Sequence, residues 1–181
     1  MPQLGSAGFK EMQTKYQIKR SLTIPLVLAT LLFFLLIVIT YINKTSLQEK
    51  LILSIGFIPL LLVSIELMER EIQTDEKGIS IKKFLKKKNL LWDDITHVGL
   101  LTVNKKIYLL LTTTKGFHII SNAYGDFTSI VKNILNRIDK DRIEEGVFRL
   151  VDYPVKRMSD IVLSWVAVVV LAGIIFNKLF G

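Results

Sequence analysis

Cysteine is missing from all 181 residues, so neither a disulfide framework nor a thiolate metal site can be built. Histidine is nearly missing. His97 and His118 stand alone, with no His-x-His or Glu-x-x-His spacing to form a zinc ligand set. No Gly-rich phosphate loop, internal repeat or activated nucleophile occurs. With no catalytic constellation left, the sequence predicts a non-enzymatic protein with no cofactor and no metal. The most informative scarcity is that of charge, which is absent from two long apolar stretches and reduced to one acid in a third.

The first of these, Ser21–Asn43, is 23 uncharged residues rich in Leu, Ile, Val and Phe. At about 1.5 Å per residue it crosses the roughly 30 Å hydrocarbon layer. It is far longer than the roughly 7 to 15 apolar residues of a signal peptide, and no small-x-small cleavage pattern follows it. Leu51–Met68 is shorter, holds Gly56 and Pro59, and carries Glu66 near its end; a kink at the proline is expected. Ile161–Phe176 reaches spanning length only with its flanks, so residues 160–178 are taken as a third span, full or tilted. The chain divides into a basic tail (1–20), a first span (21–43), a loop (44–50), a second span (51–68), a polar module (69–140), a connector (141–159) and a third span.

Lys and Arg set the orientation. They crowd the tail (Lys10, Lys15, Lys19, Arg20), the start of the module (Arg70, Lys77, Lys82, Lys83) and the approach to the third span (Lys156, Arg157), against Lys44, Lys50 and Lys178 at the opposite ends. Tail and module are therefore expected in the cytoplasm of a cell whose inner membrane holds the spans, with the carboxyl terminus outside. Tyr41 and Trp165 fall near opposite interfaces. Asn43-Lys44-Thr45 matches a glycosylation acceptor, but it sits against the membrane, where chance explains it better.

Between the second and third spans the pattern is β-rich. Glu71–Thr74 and Ile79–Phe84 flank the turn Asp75-Glu76-Lys77-Gly78; Lys86–Asn89 is expected to break the pattern before Leu90-Leu91-Trp92 resumes it. Ile95–Val103, Ile107–Thr114 and Phe117–Ile120 follow, giving five or six short strands. Phe127, Ile130, Val131, Ile134, Leu135 and Ile138 then share one helical face, with Asp126 placed to cap it. In residues 141–159, periodicity leaves an interfacial helix and a strand through Val147–Val151 equally open.

Thr74-Asp75-Glu76-Lys77-Gly78-Ile79, then Leu91-Trp92-Asp93-Asp94-Ile95, then hairpins and a final helix resemble bacterial pleckstrin-homology-like domains that follow a pair of membrane helices. The resemblance covers about 70 of 181 residues. It implies an α+β membrane protein, with three transmembrane helices and a small antiparallel β-barrel or sheet capped by one amphipathic helix, and it implies no catalytic activity. The third span is not part of the usual two-helix arrangement.

Within Trp92-Asp93-Asp94-Ile95, Trp and Ile are expected to anchor the sheet while the carboxylates accept backbone hydrogens in a bend. Metal or acid-base use by the pair is disfavoured, because adjacent strand residues point to opposite faces. Lys77–Lys115 holds nine Lys against Asp93 and Asp94, which is seven of the chain's net eight positive charges. Lys82, Lys83, Lys86, Lys87 and Lys88 form the densest part. They read either as a solvated turn with a positive-inside signal or as a headgroup contact for anionic phospholipid, since the second strand runs back toward the membrane. Nucleic acid is not expected: interleaved aromatics are lacking and the tract has no Arg. Eukaryotic members of the family bind phosphoinositides at the first hairpin loop, taken here as Asp75–Gly78, whose two acids argue against that use.

Glu66 is the one acid inside a span, and pairing with Arg70 is favoured over an ion or proton path. The sequence thus points to an interaction or accessory subunit of a membrane complex. An anionic-lipid sensor using the Lys82–Lys88 face and a transport subunit using Glu66 are the alternatives.

Overall fold

The structure, a computed structural model, describes residues 14–43, 45–103, 106–152 and 159–180. Lys10, Lys44 with its glycosylation match, the Asn104-Lys105 turn, and Lys156 and Arg157 lie outside these residues. Among those described, three helices are long and apolar enough to cross a membrane, and they accompany two antiparallel sheets in an α+β arrangement.

Strand β1 (Thr14–Gln17) precedes the first spanning helix α1 (Arg20–Ile42), and α2 (Leu47–Glu69) returns into strand β2 (Glu71–Thr74). The residues of β1 lie within the expected basic tail, where no strand is predicted. The strand pairs antiparallel with β2, Tyr16 opposite Ile72 and Lys15 opposite Gln73. Four residues with one buried side chain leave no alternation to detect. Helix α2 starts four residues before Leu51, where the apolar run begins, because Ser46 caps it, accepting from the Glu49 N–H at 3.3 Å. That Ser-x-x-Glu signature could have placed its start.

Strands β3 (Gly78–Lys83) and β4 (Lys86–Leu91) complete a sheet in the order β1-β2-β3-β4; β5 (Ile95–Val103), β6 (Lys106–Thr113) and β7 (Gly116–Ser121) form a three-stranded one. The expected break at Lys86–Asn89 is overturned: these residues are continuous β4, whose ladder with β3 runs from Gly78 opposite Leu91 to Lys83 opposite Lys86. Consecutive lysines hide the period-two pattern, but extended backbone needs only the pairing that β3 supplies. Gly78 is required at its end of this ladder, since a Cβ there would lie 2.0 Å from the Leu90 carbonyl oxygen.

Helix α3 (Phe127–Leu135) follows with the expected cap, the Asp126 side chain accepting from Ser129 N–H at 3.3 Å. Its Ile130, Val131 and Ile134 are fully buried against Ile72, Ile79, Ile95, Leu109, Leu111 and Ile120 from both sheets. At about 25 cal/mol per Å², such burial is the dominant favourable contribution to the module's fold. Within the described part of the connector, Glu145–Asp152 forms a helix, α4, which packs on the module. Val147 is fully buried and Leu150 nearly so, while Glu144 accepts from Leu100 N–H at 2.8 Å.

The third span, α5 (Ser159–Phe180), packs along α1 through Leu36, Ile39 and Ile175. The Thr30 and Ser64 hydroxyls meet at 2.6 Å between α1 and α2. Such a bond inside a membrane bundle contributes about 0.6 kcal/mol.

Candidate functional site

The five lysines from 82 to 88 gather on one hairpin, and the pleat sorts them. Ile79, Ile81 and Lys83 of β3 and Leu90, Lys88 and Lys86 of β4 share the inner face, while Ser80, Lys82, Lys87 and Asn89 share the outer one. Lys83 stands directly opposite Lys86 and Lys82 opposite Lys87. Like charges so placed destabilise a ladder.

The turn between the strands is Phe84-Leu85. Leu85 has φ of 58° and is 87% exposed, so a large apolar residue occupies a left-handed position that favours Gly or Asn and buries nothing within the chain. Opposed cations and an exposed apolar tip both oppose local stability. Departures of this kind concentrate where a surface serves something outside the fold.

The tip lies at the end of the second span. A cleft of about 490 Å³ is lined by Ile65 and Glu69 of α2 and by Lys82–Lys87 of the hairpin. Lys82 Nζ is 2.6 Å from Glu69 Oε2, and this bond raises the lysine's pKa. Arg70 donates from Nε to Glu66 at 3.1 Å, so the intramembrane acid is paired as the sequence suggested. Tyr124, beside this pair, has its phenol pKa raised by burial.

A second cleft, of about 330 Å³, lies on the inner face, between Lys83, Lys86 and Lys88 on one wall and Phe117, His118 and Ile119 of β7 on the other. Burial, together with Lys88 and Lys83, holds the His118 imidazole below its ordinary pKa. The sequence placed the lysines in one cluster but treated His118 as isolated. Only the crossing of the two sheets brings β7 to β4.

Trp92 is buried as expected, and its Nε1–H donates to the Asp75 carbonyl at 3.1 Å. Ile95 is fully buried. The bend at Asp93-Asp94, however, is closed by backbone bonds, Asp94 N–H to Leu91 and Ile95 N–H to Trp92, both 3.2 Å. The carboxylate that shapes a turn here is Asp75, which accepts from Lys77 N–H at 2.9 Å and Gly78 N–H at 2.8 Å. Asp75–Gly78 connects β2 to β3, so the first connection in the sheet is not this turn but the membrane hairpin of α1 and α2. Among the described residues no group of three or more His, Asp or Glu side chains is arranged to hold a metal.

The chain matches no protein-family model, no curated protein and no solved structure.

Proposed function

We propose that this chain is a non-enzymatic membrane protein whose pleckstrin-homology-like module faces the cytoplasm and docks its β3–β4 hairpin on the anionic inner leaflet. The single observation that carries the reading is the Phe84-Leu85 tip, apolar, exposed and bordered by lysines, beside the Ile65–Glu69 end of a spanning helix. An apolar wedge within a basic collar suits an interface where acyl chains begin beneath negative headgroups. The family likeness is supported by the four-plus-three strands and the helix that follows them. The cytoplasmic side is supported by the charge on the module's end of the spans, Lys15, Lys19, Arg20 and Arg70.

The test uses the chain's lack of cysteine. A Leu85→Cys variant carrying an environment-sensitive fluorophore, reconstituted in nanodiscs with anionic lipid, should emit as from an apolar medium and be quenched by headgroup-labelled lipid. A Leu91→Cys label, at the other end of β4, should report water. Water-like emission from both would overturn the reading.

A role as accessory subunit has its own support inside the membrane. A cleft of about 400 Å³ between α2 and α5 is lined by Leu26, Ala29 and Phe33 of α1, with Leu60 opposite Leu163 and Ala167. Small residues in such a groove admit a partner helix. An Ala167→Trp variant should then lose a membrane protein that co-purifies with the wild type in mild detergent; a wild type that extracts alone would remove the idea.

A further inference from the structure

We propose that the inner-face cleft between β4 and β7 is a separate binding site for the phosphate of an anionic phospholipid, held by Lys83, Lys86 and Lys88 with Phe117 and Ile119 as its apolar rim. This deepens the lipid-facing reading and rests on it for the source of the phosphate. Three cations project into one cleft of about 330 Å³, and no carboxylate is among the residues that line it. The outer-face lysine Lys82, by contrast, has Glu69 as its partner. Lysines on a sheet edge also deter pairing with other strands, but that duty needs no convergence on the inner face. Phe117 is 73% exposed and Ile119 46%, an apolar border beside charge that suits a lipid better than a fully hydrated ion.

His118 makes the site report its own occupancy. The groups facing it are Lys83 from β3, Lys86 and Lys88 from β4 and the apolar Leu111 opposite it on β6, while Phe117 and Ile119, its neighbours on β7, border the cleft from the other face of the strand. Burial and two of these lysines lower its pKa, so a phosphate that offsets the lysines shifts the balance toward the imidazolium, a further donor. By linkage, mild acidification tightens binding.

The experiment is histidine-ring NMR of the full chain in nanodiscs, with His97 as internal reference. The arms are zwitterionic lipid alone, zwitterionic with anionic phospholipid, and zwitterionic with dissolved inorganic phosphate. Anionic lipid should move the His118 titration upward relative to His97. Lys83→Gln/Lys86→Gln/Lys88→Gln should abolish the displacement and weaken anionic-lipid binding by roughly a hundredfold, whereas Lys82→Gln/Lys87→Gln and the Lys→Arg version of the inner triple should keep it. An equal movement of His97, or no movement of His118 in any arm, overturns the site whatever the Leu85 label reports. A response to dissolved phosphate as large as that to lipid overturns the lipid source.

Discussion

Lys178 Nζ donates to Thr40 Oγ1 at 2.9 Å across 138 residues of sequence, and the same ammonium pairs with Glu49 in the first turn of α2. One cation thus joins the ends of all three spans on the side away from the module. Lys178→Met should destabilise the bundle by about 1 kcal/mol, because the pair is partly exposed and its partner keeps access to water. Equilibrium unfolding in mixed micelles measures this, and Lys178→Arg should recover most of it.

Leu85→Asn should raise the module's stability by about 1 kcal/mol, since Asn tolerates the left-handed conformation that costs Leu roughly that much. The same change should weaken docking of the hairpin tip. Chemical denaturation gives the first effect and tryptophan-independent lipid quenching at a neighbouring label gives the second. A loss of stability would contradict the assignment of strain to this residue.

Trp92→Phe deletes the donor to the Asp75 carbonyl and trims the ring beneath Arg137, whose guanidinium centre lies 5.8 Å from its centroid. The expected cost is about 1–2 kcal/mol. Thermal melts of the full chain followed by near-ultraviolet circular dichroism test it.

Acid should act at two places, in separate windows. Burial alone would raise the Glu71 pKa, but hydrogen bonds from Lys15 and Gln73 and the charge of Lys15 hold it below its ordinary value. Its contribution is complete above about pH 4.3 and is lost as pH falls through the lowered value. His118, a base with a lowered pKa, stabilises the fold as the neutral form. Its contribution is complete above about pH 6.5 and declines as pH falls toward the lowered value, where the fold must accept an extra cation. In zwitterionic nanodiscs His118→Gln should remove the upper transition, and Lys15→Gln should flatten the lower one; hydrogen exchange in β7 and β1 reads them separately.

Most of the architecture was legible because its signals are local. Asp126 announces its helix, and the bounds of β2 and β5 coincide with the short strand Glu71–Thr74 and the β-leaning run Ile95–Val103 expected from the sequence. What escaped depended on distance in the chain. Thr14–Gln17 is a strand only because Glu71–Thr74 lies beside it, and Lys86–Lys88 are extended only because β3 is there to pair with. Residues 141–159 were open between helix and strand because Val147, Phe148, Leu150 and Val151 make a nearly continuous apolar run too short for its period to decide. The basic site divides the same way: its lysines are adjacent in sequence, while His118 joins them through packing alone.

The shortness of the joins between membrane and module sets the mechanics of the molecule. Only Ile18 and Lys19 separate β1 from α1, and only Arg70 separates α2 from β2, and β1 and β2 are hydrogen-bonded neighbours. No swivel exists at these joins. Joins this short carry a change in the crossing of α1 and α2 directly to the β1–β2 pairing.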